Sequence, residues 1–261
     1  MNLRRALWIS ALMTFFVGPF ARAADLAPAS SAEVNPEELL ERMDQVLRGR
    51  SHEMTVSLDV KTDKWERKYK ILVKMKGVDY ALARVLEPAK SEGQGFLRIK
   101  TQLWNYLPTA ERTLLIPPSL MLDKFLGSDF SNDDFIKMSY LPRDYAVKIL
   151  GKEKVGSEEA YHLELLPKND APVTYGKLEL WLRPQDGAPL RWEFFDDKLK
   201  KIRVLRYSEF KKYGDHEAPS VWEMENLVHP SRKTVIKILA AAYDLPLSDS
   251  TFTRKKLETY P

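Results

Sequence analysis

The chain has 261 residues, no cysteine and a formal net charge of +4 from 41 basic and 37 acidic side chains. Without thiols it can form neither disulfides nor thiolate metal sites. The basic balance is a weak nucleic-acid signal: without Arg4, Arg5 and Arg22, which sit in a removable segment, the charge falls to +1.

That segment comes first. Arg4 and Arg5 precede an apolar run from Ala6 to Phe20, too short to span a bilayer comfortably, and Ala21-Arg22-Ala23 has the small-residue pattern of a cleavage site. Residues 1–23 are expected to be a cleaved export signal, 24–34 a flexible leader and 35–261 a single domain. Asn35-Pro36-Glu37-Glu38 supplies a helix cap, a proline at the first position and acids in the first turn. Leu39, Leu40, Met43, Val46 and Leu47 then recur on one face until Gly49, which predicts a helix over 36–48.

From His52 the period changes to two. Met54, Val56, Leu58 and Val60 alternate with polar residues, and Tyr69, Ile71, Val73 and Met75 alternate with lysines, the pattern of strands with one buried face. Further strands are predicted near 78–86, 95–99, 103–107 and 113–116, bounded by Gly, Pro or polar turns.

Residues 117–138, PPSLMLDKFLGSDFSNDDFIKM, interrupt the strands. The two prolines end what precedes them, and Ser119 leads into Leu120, Met121, Leu122, Phe125 and Leu126 at helical spacing. Gly127-Ser128 breaks that run. Ser131 and Asp134 form a short-armed capping box flanked by Phe130 and Phe135 at the staple positions, so two short apolar helices with a joint are expected, forming a lid. Alternation resumes at Tyr145, Val147 and Ile149, continues through Leu178, Leu180 and Leu182, then Leu190, Trp192 and Phe194, and ends near 234–241.

About ten or eleven strands, each apolar on one side, make a sheet that twists and curls and whose inner face needs cover. It either closes as a filled barrel or curls part-way around an apolar hollow, the natural place for a hydrophobic ligand. Met54, Val56, Leu58, Tyr69, Ile71, Val73, Met75, Leu180, Trp192 and Phe194 are the candidate wall residues. Leu120, Met121, Leu122, Phe125, Leu126, Phe130 and Phe135 are the candidate lid, with Gly127 as its hinge.

Three stretches, GSDFSNDDF (127–135), EPAKSEGQGFLRI (87–99) and LWNYLP (103–108), resemble the outer-membrane lipoprotein-sorting protein family, relatives of the periplasmic carrier LolA. The likeness runs from about Leu39 to the C-terminus. It implies a mainly β fold, a curled antiparallel half-barrel with an N-terminal helix and a helical lid over a hydrophobic cavity. It also implies a periplasmic carrier for the acyl chains of a lipoprotein or lipid, in transient contact with membranes and served by an inner-membrane exporter of the resistance-nodulation-division or ATP-binding-cassette class. The carrier's functional strand arginine could correspond to Arg84 or Arg98. The alternative is a sensor of the same fold that detects lipidated cargo and signals through a protein contact.

No catalytic constellation accompanies this pattern. His52, His162, His216 and His229 are scattered, and no nucleophile elbow, phosphate loop or dinucleotide glycine motif is present. Asp129, Asn132, Asp133 and Asp134 lack the ligand order of a calcium loop and read as helix capping. The expectation is a binding protein with no cofactor, no metal and no nucleic-acid partner, whose lysine-rich strand faces are solvated.

Overall fold

The computed structural model describes residues 34–138 and 141–259. The expected signal, 1–23, and the leader up to residue 33 lie outside them. From Val34 onward the chain forms one compact unit.

Helix α1 spans Pro36–Arg48; the Asn35 side chain accepts hydrogen bonds from the Glu37 and Glu38 amides, and Gly49 caps the other end. Six strands follow: β1 Ser51–Lys61, β2 Glu66–Lys76, β3 Tyr80–Glu87, β4 Gly95–Ile99, β5 Gln102–Leu107 and β6 Arg112–Leu115. A long irregular strap then leads through α2 (Asp134–Lys137) and α3 (Leu141–Asp144) to seven more strands. These are β7 Tyr145–Val155, β8 Glu158–Pro167, β9 Lys177–Leu182, β10 Pro189–Phe195, β11 Lys201–Tyr213, β12 His216–Asn226 and β13 Lys233–Tyr243; helix α4 (Arg254–Thr259) follows.

All thirteen strands belong to one sheet, two or three more than the ten or eleven expected. Its order is β6-β5-β4-β3-β2-β1-β13-β12-β11-β10-β9-β8-β7. Two antiparallel meanders are therefore joined where β1 pairs with β13, and the sheet stays open, with β6 on one rim and β7 on the other. Register follows the apolar alternation. Met54, Val56 and Leu58 face Val73, Ile71 and Tyr69 on one side and Ala241, Ile238 and Ile236 on the other. A one-residue slip would turn every one of these side chains outward.

The concave face has two covers. Leu39, Leu40, Met43 and Leu47 of α1 pack with Leu163, Leu165, Leu178, Leu180, Leu182, Trp192, Phe194 and Leu205. Burial of each helix side chain is worth roughly 1.5–3 kcal/mol, which fixes α1 on β8–β11. The β9–β10 turn approaches α1 so closely that a Cβ on Gly187 would lie 2.7 Å from Arg42 Cβ. The other half, β1–β4, carries Met54, Val56, Leu58, Ile71, Ala83 and Phe96, and is covered by the strap. On the convex side, Phe252 and, from α4, Leu257 seal Leu82 and Leu97. No helix among the described residues is long and apolar enough to cross a membrane.

Candidate functional site

The strap differs from two apolar helices in its first part. Residues 118–120 and 125–127 form single 3-10 turns, and Leu126 adopts a left-handed conformation (φ 51°) that no helix continues through. Residues 121–133 fold back as an irregular hairpin, with backbone bonds from Phe125 N to Phe130 O (2.8 Å), Asn132 N to Asp123 O (3.0 Å) and Asp133 N to Met121 O (2.8 Å). The second start signal behaves as its sequence suggests. The Ser131 amide donates to Asp134 Oδ2 (2.7 Å) and the Asp134 amide donates to Ser131 Oγ (3.1 Å), a reciprocal cap at the head of α2.

The acids of the strap do more than cap. Asp129 is fully buried, and its carboxylate accepts from Arg232 Nε (2.8 Å), Asn226 Nδ2 (2.9 Å) and the Thr234 hydroxyl (2.9 Å). Asp134 accepts from the Tyr175 hydroxyl (2.5 Å) and Arg203 Nη1 (3.2 Å), and Asp133 from the Thr174 hydroxyl (2.6 Å). Burying a carboxylate is costly unless each lone pair finds a donor. Here the donors come from the sheet and its loops, so the acidic cluster fastens the strap across β11–β13. Gly127 is held as well: its carbonyl accepts from Arg232 Nη2 (2.8 Å), and its positive φ places it where a Cβ would meet Trp65 at 3.1 Å.

Beneath the strap, between the C-terminal end of α1 and β1–β2, lies a cavity of about 160 Å³. It is lined by Leu47, Arg48, His52, Met54, Val56, Leu58, Ile71, Val73, Met75, Phe125, Phe130, Asp134, Phe135, Met138, Tyr207, Trp222, Ile236 and Ile238. An apolar cavity of about this size holds a benzene-sized guest, so a longer chain needs the strap to shift. A larger groove of about 720 Å³ runs along α1; it is more open, and Glu38, Glu41, Asp44, Asp186, Asp215, Glu217 and Asp244 share its lining with Leu40, Met43, Val46, Val78, Met138, Leu141 and Pro142. None of the wall and lid candidates borders it.

Nine of the seventeen wall and lid candidates come together around the cavity: Met54, Val56, Leu58, Ile71, Val73, Met75, Phe125, Phe130 and Phe135. Tyr69 is buried in the same half of the core but off the cavity wall. Leu180, Trp192 and Phe194 are wholly buried under α1, away from the cavity lining. Met121 and Leu126 pack partly against the strap's cluster. Leu120 and Leu122 point away from the cavity and are 46% and 62% exposed.

Of the two strand arginines, Arg84 reaches the convex side, donating to Gly93 O (2.6 Å) and to the Leu257 carbonyl of α4. Arg98 lies fully buried, donating to Phe135 O (2.6 Å) and Val78 O (2.5 Å), and so holds the strap from within.

Residues absent from the sequence-derived wall include Arg48, His52 and Tyr207. His52 lies two and four positions before Met54 and Val56 on the same face, a signal the alternation carried. Burial, with Arg48 and His216 nearby, lowers its pKa to about 4, so the ring is neutral; Nδ1 lies 3.0 Å from the Arg48 carbonyl. Burial beside Arg98 lowers Arg48 to about 10, and its guanidinium meets Asp44 and donates to Met138 O (3.2 Å). Burial also raises the Tyr207 phenol above its usual range. Among the described residues no group of three or more His, Asp or Glu is placed to hold a metal ion.

A family model described as "-like: Uncharacterized protein" matches residues 77–259. Among solved structures, a LolA superfamily protein from Nitrosomonas europaea is 24% identical with a TM-score of 0.72, over 86% of this chain and 100% of that one. A DUF1329 family protein from Desulfovibrio piger (23% identical, TM-score 0.77) and a putative outer membrane lipoprotein-sorting protein domain from Vibrio parahaemolyticus (22%, 0.73) match over the same shares. No curated protein matches. At these identities the likeness establishes a curled, open half-barrel of the LolA type.

Proposed function

The chain belongs to the family whose model matches residues 77–259 and has the LolA-type half-barrel fold, and on that footing we propose that it is a non-enzymatic periplasmic carrier of acyl chains. The observation that carries the reading is the apolar cavity between α1 and the strap. Its walls offer hydrocarbon contact at roughly 0.8 kcal/mol per buried CH₂. The guest enters when the strap swings about the turn at Leu126-Gly127, breaking the Arg98–Phe135 tie first. The likeness to a putative outer membrane lipoprotein-sorting protein domain supports a lipidated cargo; its movement between envelope membranes and an inner-membrane exporter as its source belong to the proposal alone.

The outward leucines suit the membrane step. Leu122 of the strap and Leu115 of the rim strand β6 line one open groove and are 62% and 49% exposed, with Lys124 close to Leu122. Apolar groups clustered at the outer end of a lid would touch a bilayer as the lid opens.

To test the reading, the mature protein is purified without detergent, extracted for mass spectrometry and titrated with phenylnaphthylamine, an apolar dye. A carrier retains an acyl-bearing compound or takes up the dye in the cavity. A protein that does neither is not a carrier. Leu122→Asp should reduce sedimentation with phospholipid vesicles and leave dye uptake unchanged.

A further inference from the structure

Most of the cavity wall is hydrocarbon, but the part near the end of α1 is not. There Arg48, His52 and Tyr207 share the lining. Two of them have partners within the protein. Arg48 pairs with Asp44 and donates to the Met138 carbonyl. His52 Nδ1 faces the Arg48 carbonyl, which can only accept, so Nδ1 carries the hydrogen and Nε2 keeps its lone pair.

Tyr207 is different. Its ring is held edge-on to Trp222 at a centroid distance of 5.4 Å, its side chain is only 5% exposed, and its hydroxyl has no hydrogen-bond partner among the described residues. Ser57, Asp59, Arg191, Trp192 and Tyr243 also bury a polar atom without such a partner, but none of them lines the cavity; Arg48 Nη1, which does, is ion-paired with Asp44. A buried hydroxyl with no acceptor costs stability that phenylalanine at the same position would not, and a native site that keeps one calls for a reason.

We propose that the Tyr207 hydroxyl donates to the carbonyl oxygen of a bound acyl group, so that the cavity selects acyl compounds over plain hydrocarbon and fixes the carbonyl end beneath α1. The chain then runs along Met54, Ile71 and Val73. This inference rests on the acyl-carrier reading and adds a polarity to it: the ligand enters with one end specified. A free fatty-acid carboxyl and the ester carbonyl of an acylated lipid present the same acceptor.

The test compares methyl dodecanoate with dodecyl methyl ether, which lacks only the carbonyl, as displacers of phenylnaphthylamine from wild-type protein and from Tyr207→Phe. Wild type should prefer the ester by about 2- to 10-fold, the worth of one hydrogen bond, and Tyr207→Phe should lose the preference. Because the variant discards an orphaned hydroxyl, its ligand-free Tm should rise, which a merely structural hydrogen-bonding tyrosine would not allow. Dodecanoic acid displacing better than the ester would assign the carbonyl to a free carboxyl, and the reverse order to an ester. Equal binding of ester and ether by wild type, or a preference kept by Tyr207→Phe, overturns the inference and leaves the carrier reading standing. Wild type that binds no dye and no ester overturns both.

Discussion

The two halves of the concave face start from the same pattern of alternating apolar residues and end differently. Under α1, Leu180, Trp192 and Phe194 are wholly buried against the apolar stripe of a regular helix. Under the strap, Met54, Val73 and Met75 meet an irregular hairpin whose strongest attachments are polar, at Asp129, Asp133 and Asp134. The helix covers its half with apolar side chains; the strap adds buried polar ties, including Arg98 from within, and a cavity lies beneath it. The difference lies in the cover, not in the sheet.

The largest blow to this contrast should come from Asp129→Ala. It strands Arg232, Asn226 and Thr234 around a lost carboxylate, and breaking a buried pair costs about 3–5 kcal/mol. Denaturant unfolding should show a loss near the upper end, with hydrogen exchange quickening in β1–β3 before β8–β10. Equal quickening in both halves would mean that they are one cooperative block.

Phe194→Ala should cost about 4 kcal/mol, because the filled half cannot collapse onto the gap. Acid comes next. His52 holds its proton more weakly folded, near 4, than unfolded, near 6.5, so the unfolded chain binds the extra proton between those values. Stability is therefore complete above about pH 6.5 and falls toward pH 4, by roughly 3 kcal/mol. The denaturant midpoint at pH 7, 5.5 and 4 should show this fall, and its His52 share should vanish in His52→Phe. Smallest is Met75→Ala, about 2 kcal/mol, the low end for such a truncation, since the side chain is only half-buried and borders the cavity. A cost for Met75→Ala equal to that for Phe194→Ala would show the cavity half to be as tightly packed as the other.

The period-two alternation made the strands readable, and the cap at Asn35 made α1 readable, because both are local. What covers a strand is not local. Trp192 and Met54 look alike in sequence, and only the path of α1 separates a filled wall from a hollow one. The first part of the strap misled because Leu120, Met121, Leu122, Phe125 and Leu126 have helical spacing, while Leu126 turns left-handed and the chain doubles back there. Asp129 reads as a capping residue; its true partners, Asn226 and Arg232, lie about a hundred positions away. Tyr207 follows Leu205 on an alternating strand, and no local signal marks its hydroxyl as partnerless.

The chain between β6 and β7 leaves from one rim of the open sheet and returns at the opposite rim. It is strung like a chord between the ends of an arc. With both ends covalently fixed, admitting a bulkier guest means either slackening the chord at its ties or changing the bow of the whole sheet. On the proposed carrier reading, cargo size and sheet curvature are mechanically coupled, and a cross-link between the rims would set an upper limit on what the cavity can hold.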